Sequence, residues 1–264
     1  MQKKKRPLIL ISNDDGIQAR GINVLTKVAI KYGDVLVVAP DGGRSGASHS
    51  VSLSSCIRLN KISEEENLCR YISTGTPADC IKLAVNQILD EKPDIILSGI
   101  NHGSNSSVSV FYSGTMAAVI EGCMNGIPSV GFSVDDHSAN ADMSVAEEYV
   151  HEVIQNLLKS GLPKGACLNI NFPSVSSDEI KGVKICRQTQ GVWKEEFETR
   201  KDPYGNDYYW LTGEFNNNEP ESRETDDWAL KNNYIAVVPV SVDLTNHKAI
   251  PELKKWDFLI NGTK

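Results

Sequence analysis

Short apolar runs alternate along this chain with longer stretches in which apolar residues recur every three or four positions. LILIS at 8–12 reads as a buried strand and runs straight into Asn13, Asp14, Asp15 and Gly16. Ile22, Leu25, Val28 and Ala29 then repeat at helical spacing, and Gly33 closes that helix. DVLVVAP at 34–40 is a β-branched run of the kind buried on both faces of a parallel sheet, and Pro40 stops it. Between 51 and 74, CIRLNKI and LCRYIST read as paired short strands around an acidic turn at 63–67. A helix follows at GTPADC, with Thr76 as its cap and Pro77 in its first turn.

The alternation continues with the strand DIILSGI, a loop rich in Gly, Ser and Asn, and the helix MAAVIEGCMNG. IPSVGFSV and GACLNINFP are further strands, separated by an amphipathic helix over 144–160. Its apolar side carries Val145, Tyr149, Val153, Ile154, Leu157 and Leu158. Repeated strand, loop and helix predict an α/β fold with a mainly parallel sheet and helices on both faces.

From about residue 182 the texture changes to aromatics set in charged sequence, GVWKEEFETRKDPYGNDYYWLTG, with a turn at 202–206. This reads as a protruding β-hairpin, serving either as a lid or as an oligomer contact, and the oligomer is favoured. The expected organisation is one domain over 1–264: a core over 1–181, an arm over 182–228 and a return segment over 229–264 made of a helix and a strand.

Composition narrows the function. The net charge of −7 over 264 residues argues against nucleic acid polymers and anionic membranes as the main partner. The apolar segment after Lys3–Arg6 is too short for an export signal, and no stretch approaches the roughly 20 apolar residues of a membrane span. A soluble, cytoplasmic protein is expected. The six cysteines show no CxxC pair and read as small core residues rather than disulfides.

Ligands of a doubly wound sheet bind outside the carboxyl ends of its strands. That rule puts three loops on one rim, carrying Asp14 and Asp15, then Arg44, Ser45 and Ser48, then Asn101, Ser104 and Asn105. Two carboxylates about 4 Å apart repel by roughly 4 kcal/mol at an effective dielectric of about 20. They form either a solvated turn with one acid as a helix cap, or part of a cation site. Because every donor on this rim is oxygen, the ion it suits is hard, Mg²⁺ or Mn²⁺. Ser113, Gly114 and Thr115 stand just before a helix, where free N–H groups favour a phosphate. Metal and phosphate cradle together indicate phosphoryl chemistry. The chain lacks the GxGxxG of dinucleotide folds after its first strand, the GxxxxGK[ST] of P-loops and the GxSxG of Ser-His-Asp hydrolases.

ISNDDGIQARGI, VVAPDGGRSGAS, GTPADC, PDIILSGINHGSN, YSGTMAA, TDDWAL and VDLTNH, in that order, make almost the whole chain resemble the SurE family of survival proteins. The resemblance implies a Rossmann-like three-layer sandwich, a hairpin exchanged between subunits, and a homodimer or homotetramer. It implies a metal-dependent nucleotidase acting on nucleoside 5′- and 3′-monophosphates, in some members also on short polyphosphate, with one divalent cation per subunit. By position it puts the metal on Asp14, Asp15, Ser45 and Asn101, and the phosphate-side loops at Asn105, Ser113, Gly114 and Thr115; Ser45 and Asn13 are further candidates for the substrate side, with Asn13 read as fixing its turn ahead of touching substrate. Asp14 or Asp15 would take a proton and His247 would supply one. Where many relatives carry Gly-Asp-Asp, this chain has Ser106–Ser109. The competing readings are a non-catalytic nucleotide- or metal-binding regulator and a phosphoaspartyl phosphatase, whose DxDxT motif NDDG does not fit.

Overall fold

The computed structural model describes residues 6–256. The first half of the chain forms β1 (Leu8–Ser12), α1 (Arg20–Ala29), β2 (Asp34–Pro40), β3 (Leu59–Glu65), β4 (Leu68–Ser73) and α2 (Pro77–Leu83). After these come β5 (Ile95–His102), α3 (Gly114–Met124), β6 (Ser129–Val134), α4 (Ser144–Ser160) and β7 (Ala166–Phe172). The remainder is β8 (Gly182–Ile185), β9 (Gly191–Lys194), β10 (Phe197–Lys201), β11 (Asp207–Leu211), β12 (Glu214–Asn217), α5 (Asp226–Lys231), β13 (Tyr234–Ser241) and α6 (Ile250–Leu253).

Nine strands form one sheet in the order β3-β4-β2-β1-β5-β6-β7-β13-β8. Its centre, β4 to β7, is parallel throughout, and antiparallel pairing is confined to β3 with β4 and to β13 with β7. From β1 the chain winds outward one way through β2 and later the other way through β5 and β6. The topological switch point therefore lies between β1 and β5, where Ser12 and Ser98 pair in register.

Alternation along the central strands sets the layers. Ile9, Ile11, Val35, Val37 and Leu97 pack on one face with α1 and α4, while Leu10, Leu36, Val38 and Ile96 pack on the other with α2 and α3. Burial on both faces explains the unbroken apolar runs, each fully buried Ile or Leu contributing about 1.5–3 kcal/mol. Val145, Val150, Ile154 and Leu157 bury the inner side of α4. Thr76 caps α2 as its sequence indicates: Asp79 N donates to Thr76 Oγ1 at 3.1 Å, and Thr76 N donates to Asp79 Oδ2 at 3.0 Å. The α-helix is shorter than the apolar spacing predicts, because Ala84–Ile88 widens into a π-helical turn. All six cysteines are free, four of them buried.

The arm begins later than position 182. β8 belongs to the main sheet beside β13, so the projecting part is a stem, β9 paired with β12, and a tip hairpin, β10 paired with β11. Both strands of the tip are exposed along their whole length, including Tyr208, Tyr209, Trp210 and Leu211. No helix among the described residues is long and apolar enough to cross a membrane.

Candidate functional site

A cavity of about 460 Å³ opens at the carboxyl ends of β1 and β5. Asp14, Ser45, Asn101, Asn105 and Ser113 line it, so loops distant in sequence meet at the switch point as the strand order requires. Asp15 does not line the cavity itself, but its Oδ2 lies 3.4 Å from Nδ1 of His102, which does.

The turn after β1 is built from its own residues. Gly16 takes φ of +98°, and Asn13 Nδ2 donates to Gly16 O at 2.9 Å, which folds the two acids back over the strand end. Asn13 is buried, serves this turn, and leaves its Oδ1 without a partner. Asp14 is 4% exposed. Burial pushes its carboxyl up to about 6, the neighbouring Asp15 charge pushes the same way, and a hydrogen bond from Thr115 Oγ1 at 2.6 Å pulls it down. Among the described residues no lysine or arginine forms an ion pair with either acid.

α3 is pressed against this carboxylate. A Cβ placed on Gly114 would lie 2.6 Å from Asp14 Cβ and 2.9 Å from its Oδ2, so glycine is there for close approach. The Thr115 hydroxyl is taken up by Asp14, and neither Gly114 nor Thr115 is among the residues that line the cavity. Ser113 does line it. Its Oγ accepts from Met116 N at 3.0 Å as the helix cap, which leaves the hydroxyl hydrogen free for an anion.

Asn101 Nδ2 is tied to Gly103 O at 2.7 Å, leaving its amide oxygen as the atom to offer a ligand. Asn105 is held at three points: its N and Nδ2 donate to Asn171 Oδ1 and Ser133 Oγ, and its O accepts from Asn169 Nδ2. Ser45 stands on the long loop after β2, which Ser48 pins by donating through Oγ to Phe111 O at 2.6 Å. Arg44 turns away from the cavity to Asp41 Oδ1 at 2.6 Å.

Several cavity residues carry no signal in their local sequence. His102 ends β5 beside Asn101, on the rim already read from sequence, whereas His137 joins it only in three dimensions, and Trp193, Glu196, Leu211 and Thr212 arrive from the arm. Asp226, in the TDDWAL stretch, accepts from Thr189 N and Oγ1 and from Ser107 N, tying the arm root to the turn that precedes Ser113. Ser109, within the segment that departs from the Gly-Asp-Asp pattern, also faces the cavity. The structure does not bring His247 to this cavity. It lies on an exposed segment after β13, with Nε2 2.7 Å from Asp243 Oδ2.

The donor set fits a hard divalent cation on the chemistry of its atoms: the Asp14 carboxylate, a hydroxyl and an amide oxygen in the cavity, the Asp15 carboxylate beside it, and a buried charge with no cationic side chain paired to it. No group of three or more His, Cys, Asp or Glu that could hold a metal ion occurs among the described residues.

Fold and cavity together define a doubly wound α/β protein with an oxygen-lined cavity at its switch point. Residues 9–195 match the family described as Survival protein SurE, and the chain belongs to that family. It is 49% identical to the 5′-nucleotidase SurE of Phocaeicola vulgatus over 255 residues, covering 97% of this chain and 98% of the relative. Identity to the 5′-nucleotidase SurE of Flavobacterium psychrophilum is 50% over 253 residues, with 96% and 98% coverage. The crystal structure of the SurE protein from Aquifex aeolicus matches with a TM-score of 0.81 at 37% identity, covering 94% of this chain and 98% of that one.

Proposed function

We propose that this protein is a divalent-metal-dependent nucleotidase that hydrolyses nucleoside 5′-monophosphates to nucleoside and phosphate. The observation that carries the reading is the meeting of Asp14, Ser45, Asn101 and the α3 cap Ser113 around one cavity. The full-length similarity to proteins named 5′-nucleotidase SurE supports it. Activity on 3′-monophosphates and short polyphosphate belongs to the same proposal, since a phosphate cradle does not select the rest of the molecule.

Asp14, Asp15, Ser45 and Asn101 would hold the ion, Mg²⁺ or Mn²⁺. When bound, it supplies positive charge against the phosphoryl oxygens and makes a water more acidic. The chain's own groups do the rest. Asp14 or Asp15 takes a proton from the attacking water, whose oxygen bonds to phosphorus as the ester P–O bond breaks, and the departing nucleoside oxygen takes its proton from solvent water. His102 orients Asp15 through Nδ1. Ser113 donates to a phosphate oxygen, and Asn105 and Asn13 keep their loops in place. Stabilisation by preorganised charge and donors is the main contribution. His247, outside the cavity, has no part in this scheme.

The exposed aromatic tip of the arm is the proposed contact between copies in a homodimer or homotetramer. Free cysteines suit a reducing, cytoplasmic setting. The test is phosphate release from a panel of nucleoside monophosphates with Mn²⁺, with Mg²⁺ and with EDTA. Turnover with metal and none with EDTA is expected. Turnover undiminished by EDTA overturns the metal assignment, and no turnover with any ion overturns the enzymatic reading.

A further inference from the structure

One cavity holds both the acid-lined strand ends and residues of the arm. Trp193, Glu196, Leu211 and Thr212 reach it from β9, β11 and the turns beside them, and Tyr112 stands next to Ser113. The two halves differ in chemistry: oxygen donors and a helix cap on one side, an aromatic ring, aliphatic surface and a single carboxylate on the other.

The arm half is built rather than loosely draped. Trp193 pairs with Phe215 across the stem, with ring centroids 6.0 Å apart in edge contact. β9 lies against the turn Ser107–Phe111 that leads to Ser113, and Asp226 ties that turn to the arm root at Thr189. Trp193 is thereby fixed relative to the phosphate half of the cavity. Glu196 is held by its backbone, its O accepting from Thr212 N at 2.8 Å, while its carboxylate makes no ion pair among the described residues.

We propose that Trp193 and Glu196 form the nucleobase subsite, in which a purine stacks on the Trp193 indole and its N–H edge meets the Glu196 carboxylate. The inference rests on the nucleotidase reading and adds a base preference to it. Stacking needs a π-face and favours the larger purine ring. An ionised carboxylate is acceptor-only, so it rewards bases with adjacent donors. Guanine presents N1–H and the N2 amino group side by side, matching both carboxylate oxygens. Adenine sets an acceptor beside its amino group, and uracil flanks its single N–H with two carbonyls. The expected order is GMP, then AMP, then UMP. The cavity volume of 460 Å³ falls within the roughly 300–1,000 Å³ common for small-molecule sites.

The experiment uses the full chain and its Trp193→Ala, Trp193→Phe and Glu196→Gln variants, assayed on GMP, AMP, UMP and ribose 5-phosphate, which has the phosphate and sugar but no base. Trp193→Ala is expected to raise KM for GMP and AMP about tenfold with kcat held within about twofold, while Trp193→Phe retains most of the affinity. Ribose 5-phosphate should change by less than about twofold in every variant, since it never reaches the subsite. Glu196→Gln should remove the advantage of GMP over AMP. In parallel, quenching of tryptophan fluorescence by guanosine alone reports the base site without phosphate, metal or turnover, and should diminish in Trp193→Phe. Unchanged KM for GMP in Trp193→Ala, or an equal loss on ribose 5-phosphate, overturns the inference. If wild type turns over no phosphate ester, the nucleotidase reading falls, and quenching by guanosine that is the same in wild type and Trp193→Phe overturns the subsite separately.

Discussion

Gly114 is the position where a single methyl group should do most damage. Replacing it with Ala adds a Cβ 2.6 Å from Asp14 Cβ, 2.9 Å from Oδ2 and 3.1 Å from Cγ. Carbon atoms rest about 3.5–4.0 Å apart, so Asp14 or the start of α3 must move by about 1 Å. Helix propensity works the other way, since Ala is favoured over Gly by at most about 1 kcal/mol in a helix interior and by less in the first turn. Overpacking costs about 1–3 kcal/mol, so the clash wins and a net loss of about 1–2 kcal/mol is expected. At about 2–4 °C per kcal/mol for a chain of this size, calorimetry should show Tm lower by about 2–8 °C. Displacement of a central ligand by about 1 Å should lower kcat/KM about 100-fold with Mn²⁺ present. A Gly114→Ala protein that is more stable than wild type and fully active would refute the close approach of α3 to Asp14.

Thr115→Val keeps the shape of the side chain but removes the 2.6 Å donor to Asp14. Because the acceptor is a buried carboxylate, stability near pH 7 should fall by about 1.5–3 kcal/mol, read from urea midpoints, and an unchanged midpoint would mean that Thr115 does not support Asp14. At the arm root, Arg187 and the backbone N–H of Gln190 hold the Glu219 carboxyl down from 4.5 to about 2. A depressed carboxyl stabilises the fold fully above pH 4.5, and that contribution is lost as the pH falls toward about 2. Limited proteolysis of the arm should therefore rise below pH 4.5 in wild type, whereas Glu219→Gln should show a smaller rise across that window, the remainder belonging to Glu198 and Asp202, whose carboxyls are also held down by hydrogen bonds.

The parallel strands were legible because burial on both faces leaves an unbroken apolar run, as in LILIS and DVLVVAP. Their order along the chain then placed Asp14, Ser45 and Asn101 on one rim without any knowledge of contacts. β8 was not legible, since its four residues, two half-buried and two exposed, alternate too briefly to stand out and take their place only by pairing with β13. Gly114 and Thr115 read as a phosphate loop, and their closeness to Asp14 could not be read, because the sequence shows that a helix begins there and not which neighbour lies beside it. His102 lay on a rim loop in the sequence but without an assigned task, whereas His137, Trp193 and Glu196 enter the cavity by tertiary approach, and nothing in their local pattern separates them from surface residues. Asp226 read only as part of a motif, although its buried carboxylate joins the arm root to the turn before Ser113.

The central claim is that strand-end oxygens around Asp14 bind one hard cation per chain. Isothermal titration of Mn²⁺ into wild type and Asp14→Asn measures this without reference to turnover. One ion per chain in wild type, with affinity at least about tenfold weaker in the variant, is the expected result for loss of a charged ligand. Equal affinity and stoichiometry in the two proteins would contradict the account.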